Sequence, residues 1–248
     1  MEIIGALIAG CAIGAVLGFV GAGGAMLTVP ILIYFFGFTP HSATTAALAV
    51  VFLAALSGSL PKMRSKEILY REAFVVWAIG LITNLGFSSI VDTFPDEFII
   101  TGFSFILILA GLSMLRPPFT NIHTRMPPST LILMSLVIGA ITGIFGIGGG
   151  FLAIPILVLF FGTPQNIAAG TSLLIIALNS LTALFGHHAQ WSDVDWHIPA
   201  LMAITAVLVS SVASHFGNFA SPEKLRRAFA YLLFSVSALT LLQVWLQS

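Results

Sequence analysis

Apolar residues run through this chain in ten blocks. They occupy 3–20, 25–38, 41–60, 73–91 and 98–115 and then, after a polar stretch, 130–145, 151–161, 166–186, 198–216 and 228–246. Polar residues inside the blocks are too sparse to mark a water-facing side, so the blocks predict helices that are apolar all round. Runs of roughly 20 such residues have the length that spans a bilayer core. The second block of each five is short. As a helix, 25–38 would rise only ~21 Å against a core of ~30 Å. Two arrangements fit that length: a broken or tilted crossing, or a hairpin with the preceding block that enters and leaves on one side.

The two sets of five are related. GFVGAGGAMLTVP at 18–30 returns as GIFGIGGGFLAIP at 143–155, displaced by 125 residues. Phe35-Phe36-Gly37 returns as Phe160-Phe161-Gly162, and Thr39-Pro40 as Thr163-Pro164. Ala43 to Leu48 aligns with Ala168 to Leu173. The chain therefore divides into a membrane repeat at 1–115, a central loop at 116–129 and a second membrane repeat at 130–248.

Charge sets the orientation. All nine basic residues fall in three loops: Lys62, Arg64, Lys66 and Arg71 in 61–72, Arg116 and Arg125 in 116–129, and Lys224, Arg226 and Arg227 in 218–227. The loops 92–97 and 187–197 hold none. Basic loops favour the cytoplasm, so these three are expected there, and each half makes an odd number of crossings. Half one then starts outside and half two inside. The expected fold is an all-α polytopic membrane protein of two inverted-topology repeats, five membrane segments each, the second of each half short or broken.

Composition agrees. Hydrophobic residues make up 58% of the chain and charged residues 7%, with mean hydropathy +1.07. A soluble domain carries about 25% charged residues, so this surface needs membrane lipid around it. Acidic and basic residues balance at nine each, and the absence of a basic stripe argues against nucleic acid. The single Cys11 excludes an internal disulfide and belongs to no metal motif. The N-terminus lacks the positive start of a signal peptide and reads as the first membrane segment. No catalytic pair recurs at a known spacing, so an enzyme is not expected.

Candidate chemistry centres on the glycines Gly21, Gly23 and Gly24 and their counterparts Gly146, Gly148, Gly149 and Gly150. Glycine lets a helix break and allows close backbone approach. A helix that restarts after such a break aims free N–H groups at it, which suits an anion. Small-residue packing alone explains a lone cluster; two clusters in inverted halves, each followed by a short proline-bearing segment, favour a binding site. Pro30 and Pro155 each free a carbonyl and are candidate hinges. Neutral donors within the blocks are Thr45, Asn84, Thr171, Ser172 and Asn179; the two amides are the stronger candidates, because an amide is costly to leave unpaired in lipid. No Asp, Glu, Lys or Arg lies in the middle of a block, so neither a carboxylate relay nor an intramembrane cation is expected. His215 is a titratable group inside the block 198–216, near its end. The loop HHAQWSDVDWH offers His187, His188, Asp193, Asp195 and His197, but at no metal-binding spacing, and its tryptophans suit the membrane interface. No metal or cofactor is expected.

The paired glycine stretches, the FFG–TP stretch after each and AAGTSLLIIALNS resemble the TauE/SafE family of sulfite and organosulfur-anion exporters. The resemblance covers nearly the whole chain. It implies a permease in the plasma (inner) membrane of a bacterium or archaeon, moving sulfite, organosulfonates or related small sulfur-containing anions by alternating access around a glycine-lined midplane site. Where half two has Thr171-Ser172, half one has Ala46-Ala47, so a site using that pair is dominated by half two. A channel-like pore for a small solute is the rival, since water channels also pair short segments. A homodimer is compatible with the sequence.

Overall fold

The computed structural model describes residues 2–88, 96–115, 127–145, 150–217 and 221–247. Among them it has ten α-helices: α1 Glu2–Val20, α2 Gly24–Phe36, α3 Pro40–Arg64, α4 Tyr70–Ser88, α5 Asp96–Leu115, α6 Pro128–Phe145, α7 Gly150–Phe161, α8 Gln165–Gly186, α9 His197–Gly217 and α10 Pro222–Gln247. A short 3-10 helix, His188–Asp193, follows α8. The ten helices match the ten apolar blocks, and α2 and α7 are the short ones. Helices extend further into the basic loops than expected. Lys62 and Arg64 lie on α3, Arg71 on α4, and Lys224, Arg226 and Arg227 on α10.

Four helices, α1, α3, α8 and α9, are long and apolar enough to cross a membrane. The large side chains face outward. On α9, Ile204, Leu208 and Val212 are exposed, while Ala203, Ala206, Ser210, Ala213, Ser214 and Gly217 are buried. A soluble helix does the reverse. Only lipid solvates such a surface, and between helices small residues then give close van der Waals contact. The chain is an all-α, multi-pass membrane protein.

Packing follows the small residues. On α1, Gly10 lies against Met202, Gly14 against Ala206 and Gly18 against Ser210, so α1 and α9 run side by side in one direction. A Cβ on Gly14 would stand 2.5 Å from the Ala206 carbonyl oxygen. On α6, Gly139 meets the backbone of Gly80 on α4 in the same way. Each half's first helix thus packs on the other half's fourth. The fifth helices pair with each other: Ser104 and Thr240 hydroxyls are 2.7 Å apart, and Gly111 lies against Phe234, so α5 and α10 are antiparallel. The third helices, α3 and α8, also pair. They are the most enclosed, with 61% of the spanning window buried in each against 44% in α1 and α9.

The short α2 folds back along α1. Gly24 rests on Leu17, and the Phe36 ring lies 3.6 Å from where a Cβ of Gly5 would be. Both arrangements the sequence allows, a short returning crossing and a hairpin, bring α2 back along α1 in this way. The far end of α2 closes with a left-handed glycine: Gly37 has φ 70°, and Phe38 N–H donates to the Leu32 carbonyl at 3.1 Å. The end of α7 repeats this, with Gly162 at φ 61° and Thr163 N–H donating to the Leu157 carbonyl at 3.0 Å. This six-residue closure accounts for the glycine of each FFG stretch.

Replacing Gly14 by Leu should destabilise the protein by about 3 kcal/mol, the upper end for overpacking, because backbone blocks the added side chain. Gly86→Ala, where nothing lies within 4 Å of an added Cβ, should leave stability unchanged or slightly raised. Thermal unfolding of the purified proteins in detergent compares the two.

Candidate functional site

The first glycine cluster breaks the chain between α1 and α2. Gly21 (φ 81°) and Gly23 (φ 90°) adopt left-handed backbone, which costs an L-residue roughly 1–2 kcal/mol. All four residues from Gly21 to Gly24 are buried. The Gly21 N–H still donates to the Leu17 carbonyl at 2.8 Å. On the other side of the break, the buried Thr28 hydroxyl donates to the Gly24 carbonyl at 2.7 Å. A Cβ on Gly21 would fall 2.5 Å from Ala169 Cβ and 2.6 Å from its Cα, so the break lies directly on the second turn of α8. Gly146, Gly148 and Gly149 lie outside the described residues; Gly150 begins α7.

A charged cluster touches the same turn of α8. Pro61 does not stop α3, which continues to Arg64 and carries Lys62 inward, 2% exposed. The chain then turns through Lys66 (φ 58°), and the Glu67 N–H donates to the Lys62 carbonyl at 2.9 Å. Lys62 Nζ lies 2.9 Å from Glu67 Oε2. The other carboxylate oxygen, Oε1, accepts from Asn166 Nδ2 of α8 at 2.7 Å. The Leu69 N–H donates to Thr171 Oγ1 at 3.1 Å, and that hydroxyl donates to the Ile167 carbonyl at 2.7 Å. Gly170 makes room for all this. A Cβ there would strike the Glu67 carbonyl oxygen and stand 3.1 Å from Lys62 Cβ. Consecutive residues Ala169 and Gly170 therefore bring the glycine break and the ion pair to two sides of one helical turn.

The start of α8 has unused donors. Its first N–H groups precede any intrahelical acceptor, and no side chain caps them. Gln165, 4% exposed, has neither Nε2 nor Oε1 bonded to a described residue. Ser172 is fully buried beside Thr171.

The opposite ends of α3 and α8 meet through neutral groups. The Thr45 hydroxyl donates to the His41 carbonyl at 3.1 Å and lies 3.2 Å from His187 Nδ1. The Ser42 hydroxyl donates to the Asp193 carbonyl at 3.3 Å. With Thr45–His187 at one end and Leu69–Thr171 at the other, α3 and α8 are antiparallel.

The residues singled out in the sequence are thus not all brought together. Gly21, Gly23, Gly24, Thr171 and Ser172 gather at the end where α8 begins. Thr45 sits at the far end of α3, about 25 Å from Lys62 along the helix. Asn179 is half-buried on α8, about 12 Å beyond Thr171. Asn84 is half-buried on α4. Pro30 is exposed on α2 and Pro155 buried in α7, and both helices run through them. His215 is exposed, its ring edge-on to Phe216. Sequence reading missed Lys62, Glu67, Gln165 and Asn166, because it ended the third segment at Leu60 and counted Lys62 as a loop residue. The available signal was Gly170, a gap in a tight helix opposite a lysine.

A sequence profile of the family described as "Sulfite exporter TauE/SafE" matches residues 6–240. This chain belongs to the TauE/SafE family. Its relatives include a "Probable membrane transporter protein" of Xylella fastidiosa, 28% identical over 244 residues, covering 94% of this chain and 92% of that one. The "Probable membrane transporter protein YunE" of Bacillus subtilis is 26% identical over 225 residues, covering 77% and 81%. YdhB of the same organism, also named a probable membrane transporter protein, is 23% identical over 238 residues, 93% and 96% of the two chains. No solved structure matches the chain.

In this TauE/SafE protein the end bearing Lys62 can offer an anion one buried cation and several neutral donors, while the other end is sensitive to protons. Burial, and then the nearby His41, lower the His187 pKa below its ordinary 6.5. As pH falls, the unfolded chain therefore binds this proton before the folded one. Neutral His187 contributes stability that is complete above the unfolded value and is lost as pH drops through the folded value. Thermal stability in detergent should fall as the pH drops below about 6.5, and His187→Gln should flatten that fall.

Proposed function

We propose that this membrane transporter is a secondary carrier for sulfite, an organosulfonate or a related small sulfur-containing anion. The observation that carries the anion reading is the turn of α8 where a glycine break, an uncapped helix start and a buried lysine meet. Helix N-terminal N–H groups favour negative charge, and a glycine-lined break lets a small oxyanion approach backbone closely. The family description supplies the sulfur. In this account Gly21, Gly23, Gly24, Thr171 and Ser172 contact the anion on the side where α8 begins, and Gly146, Gly148, Gly149 and Gly150 belong to the counterpart.

The two halves, 1–115 and 130–248, then work as inverted repeats joined by the loop 116–129. The antiparallel pairs α3 with α8 and α5 with α10 support this, as do the matching closures at Gly37 and Gly162. Rocking of one half against the other opens the two ends of the α3–α8 pair in turn. The basic ends face the cytoplasm by the charge rule.

Counterflow in proteoliposomes tests the proposal. Vesicles loaded with unlabelled sulfite should accumulate labelled sulfite, saturably, with taurine and sulfate ranked as competitors. Flux that neither saturates nor shows counterflow would indicate a pore. Gly21→Val, which strains a left-handed position and strikes Ala169, should abolish exchange while the protein still inserts; unchanged exchange would remove the glycine break from the site.

A further inference from the structure

We propose that the Lys62–Glu67 pair is the anion's docking point: the permeating anion displaces the Glu67 carboxylate from Lys62 and takes its place. The inference rests on the carrier reading above and assigns it a specific cation.

Lys62 is the only charged residue among the described ones that is less than a tenth exposed. A buried ion pair is a poor device for stability, since desolvation offsets most of the attraction. Here the carboxylate acts as a built-in substitute for an anionic ligand. It places one oxygen 2.9 Å from the ammonium and the other 2.7 Å from a neutral amide donor of the opposite half. That is the contact set a small oxyanion makes. The Glu67 side chain is partly exposed while that of Lys62 is buried, so the carboxylate can leave by a swing of its own side chain, with the turn and α3 in place.

The second observation is Gln165. Its amide is buried one residue before Asn166 with no bond to a described residue. A buried amide left unpaired costs about 1–3 kcal/mol; Gln165 stands one turn before Ala169, which meets Gly21, so its amide lies on the glycine-break side of α8, next to the side that holds the ion pair. Asn166 and the free N–H groups at the start of α8 become donors to the anion at Lys62. While the site is empty, Asn166 binds Glu67 and ties the two halves together at this end. Arrival of the anion frees Glu67 and breaks that tie, so binding and opening are one event.

The test uses the full chain and sulfite as the probe, with taurine and sulfate alongside. Glu67→Gln removes the internal competitor and should tighten sulfite binding about tenfold, measured by ligand-induced thermal shift. The double variant K62Q/E67Q leaves no orphan charge and should weaken binding about tenfold or more, with the size-exclusion profile unchanged. On unmodified protein, sulfite should produce an infrared difference band in the carboxylate stretch that is absent from Glu67→Gln, a readout that does not depend on the double variant folding. A double variant that exchanges sulfite with unchanged KM would overturn the inference and leave the carrier reading standing. A wild-type spectrum with no carboxylate band in the presence of transported anion would do the same. If another anion of the three gives the band and sulfite does not, the docking point stands and the choice of sulfite falls. Failure of all three anions to bind either wild type or Glu67→Gln would make the pair a structural clamp and end the inference.

Discussion

Hydrocarbon offers no hydrogen bond to an opened helix and no hydration to a charge. Every break and every ion in such a protein therefore needs cover from the protein itself. In this chain the covering element is α8. Its second turn presents Ala169 to the left-handed Gly21 and, one residue on, Gly170 to Lys62 and Glu67. The two small residues decide how near each feature can come. The first glycine break and the buried ion pair are set at one depth because the same turn accommodates both.

The consequence is a pair of central helices whose two ends differ in chemistry. At one end α3 and α8 are joined by a carboxylate, an ammonium and an amide. At the other they are joined by hydroxyls, a carbonyl and an imidazole held neutral by burial. Around this pair the first and fourth helices cross through glycine and alanine, with backbone against backbone. Such contacts are stiff, because close-packed atoms leave no room to deform gradually. Motion is then easier where polar side chains exchange partners, at the ends of α3 and α8.

Much of the fold was legible in the sequence. In lipid, a helix must be apolar and about as long as the bilayer is thick, and those two demands left ten blocks with boundaries close to the observed helices. The short second segments were readable for the same reason, whereas the glycines after Phe36 and Phe161 stood out only as part of the repeat, and the block 25–38 ran on through Gly37. The site was only partly legible. Gly21 and Gly23 do take up left-handed backbone, but Thr45, which the alignment of the halves sets on Gly170, faces His187 at the far end of α3. Alignment of inverted halves groups residues that antiparallel packing sends apart. Lys62 was missed because a lysine after a proline reads as a loop, whereas α3 runs through Pro61 and the turn to Glu67 folds the charge back inside.

The central claim is that the two ends of the α3–α8 pair open in alternation. Spin labels can follow both ends in protein whose single native cysteine, the exposed Cys11, is replaced by alanine. One label pair, at Lys66 and Pro164, spans the end with the ion pair; the other, at Pro40 and Ser192, spans the end with His187. Sulfite should redistribute the two distances in opposite senses, one pair lengthening as the other shortens. Two distances that stay fixed while the same labelled protein exchanges sulfite would contradict the account.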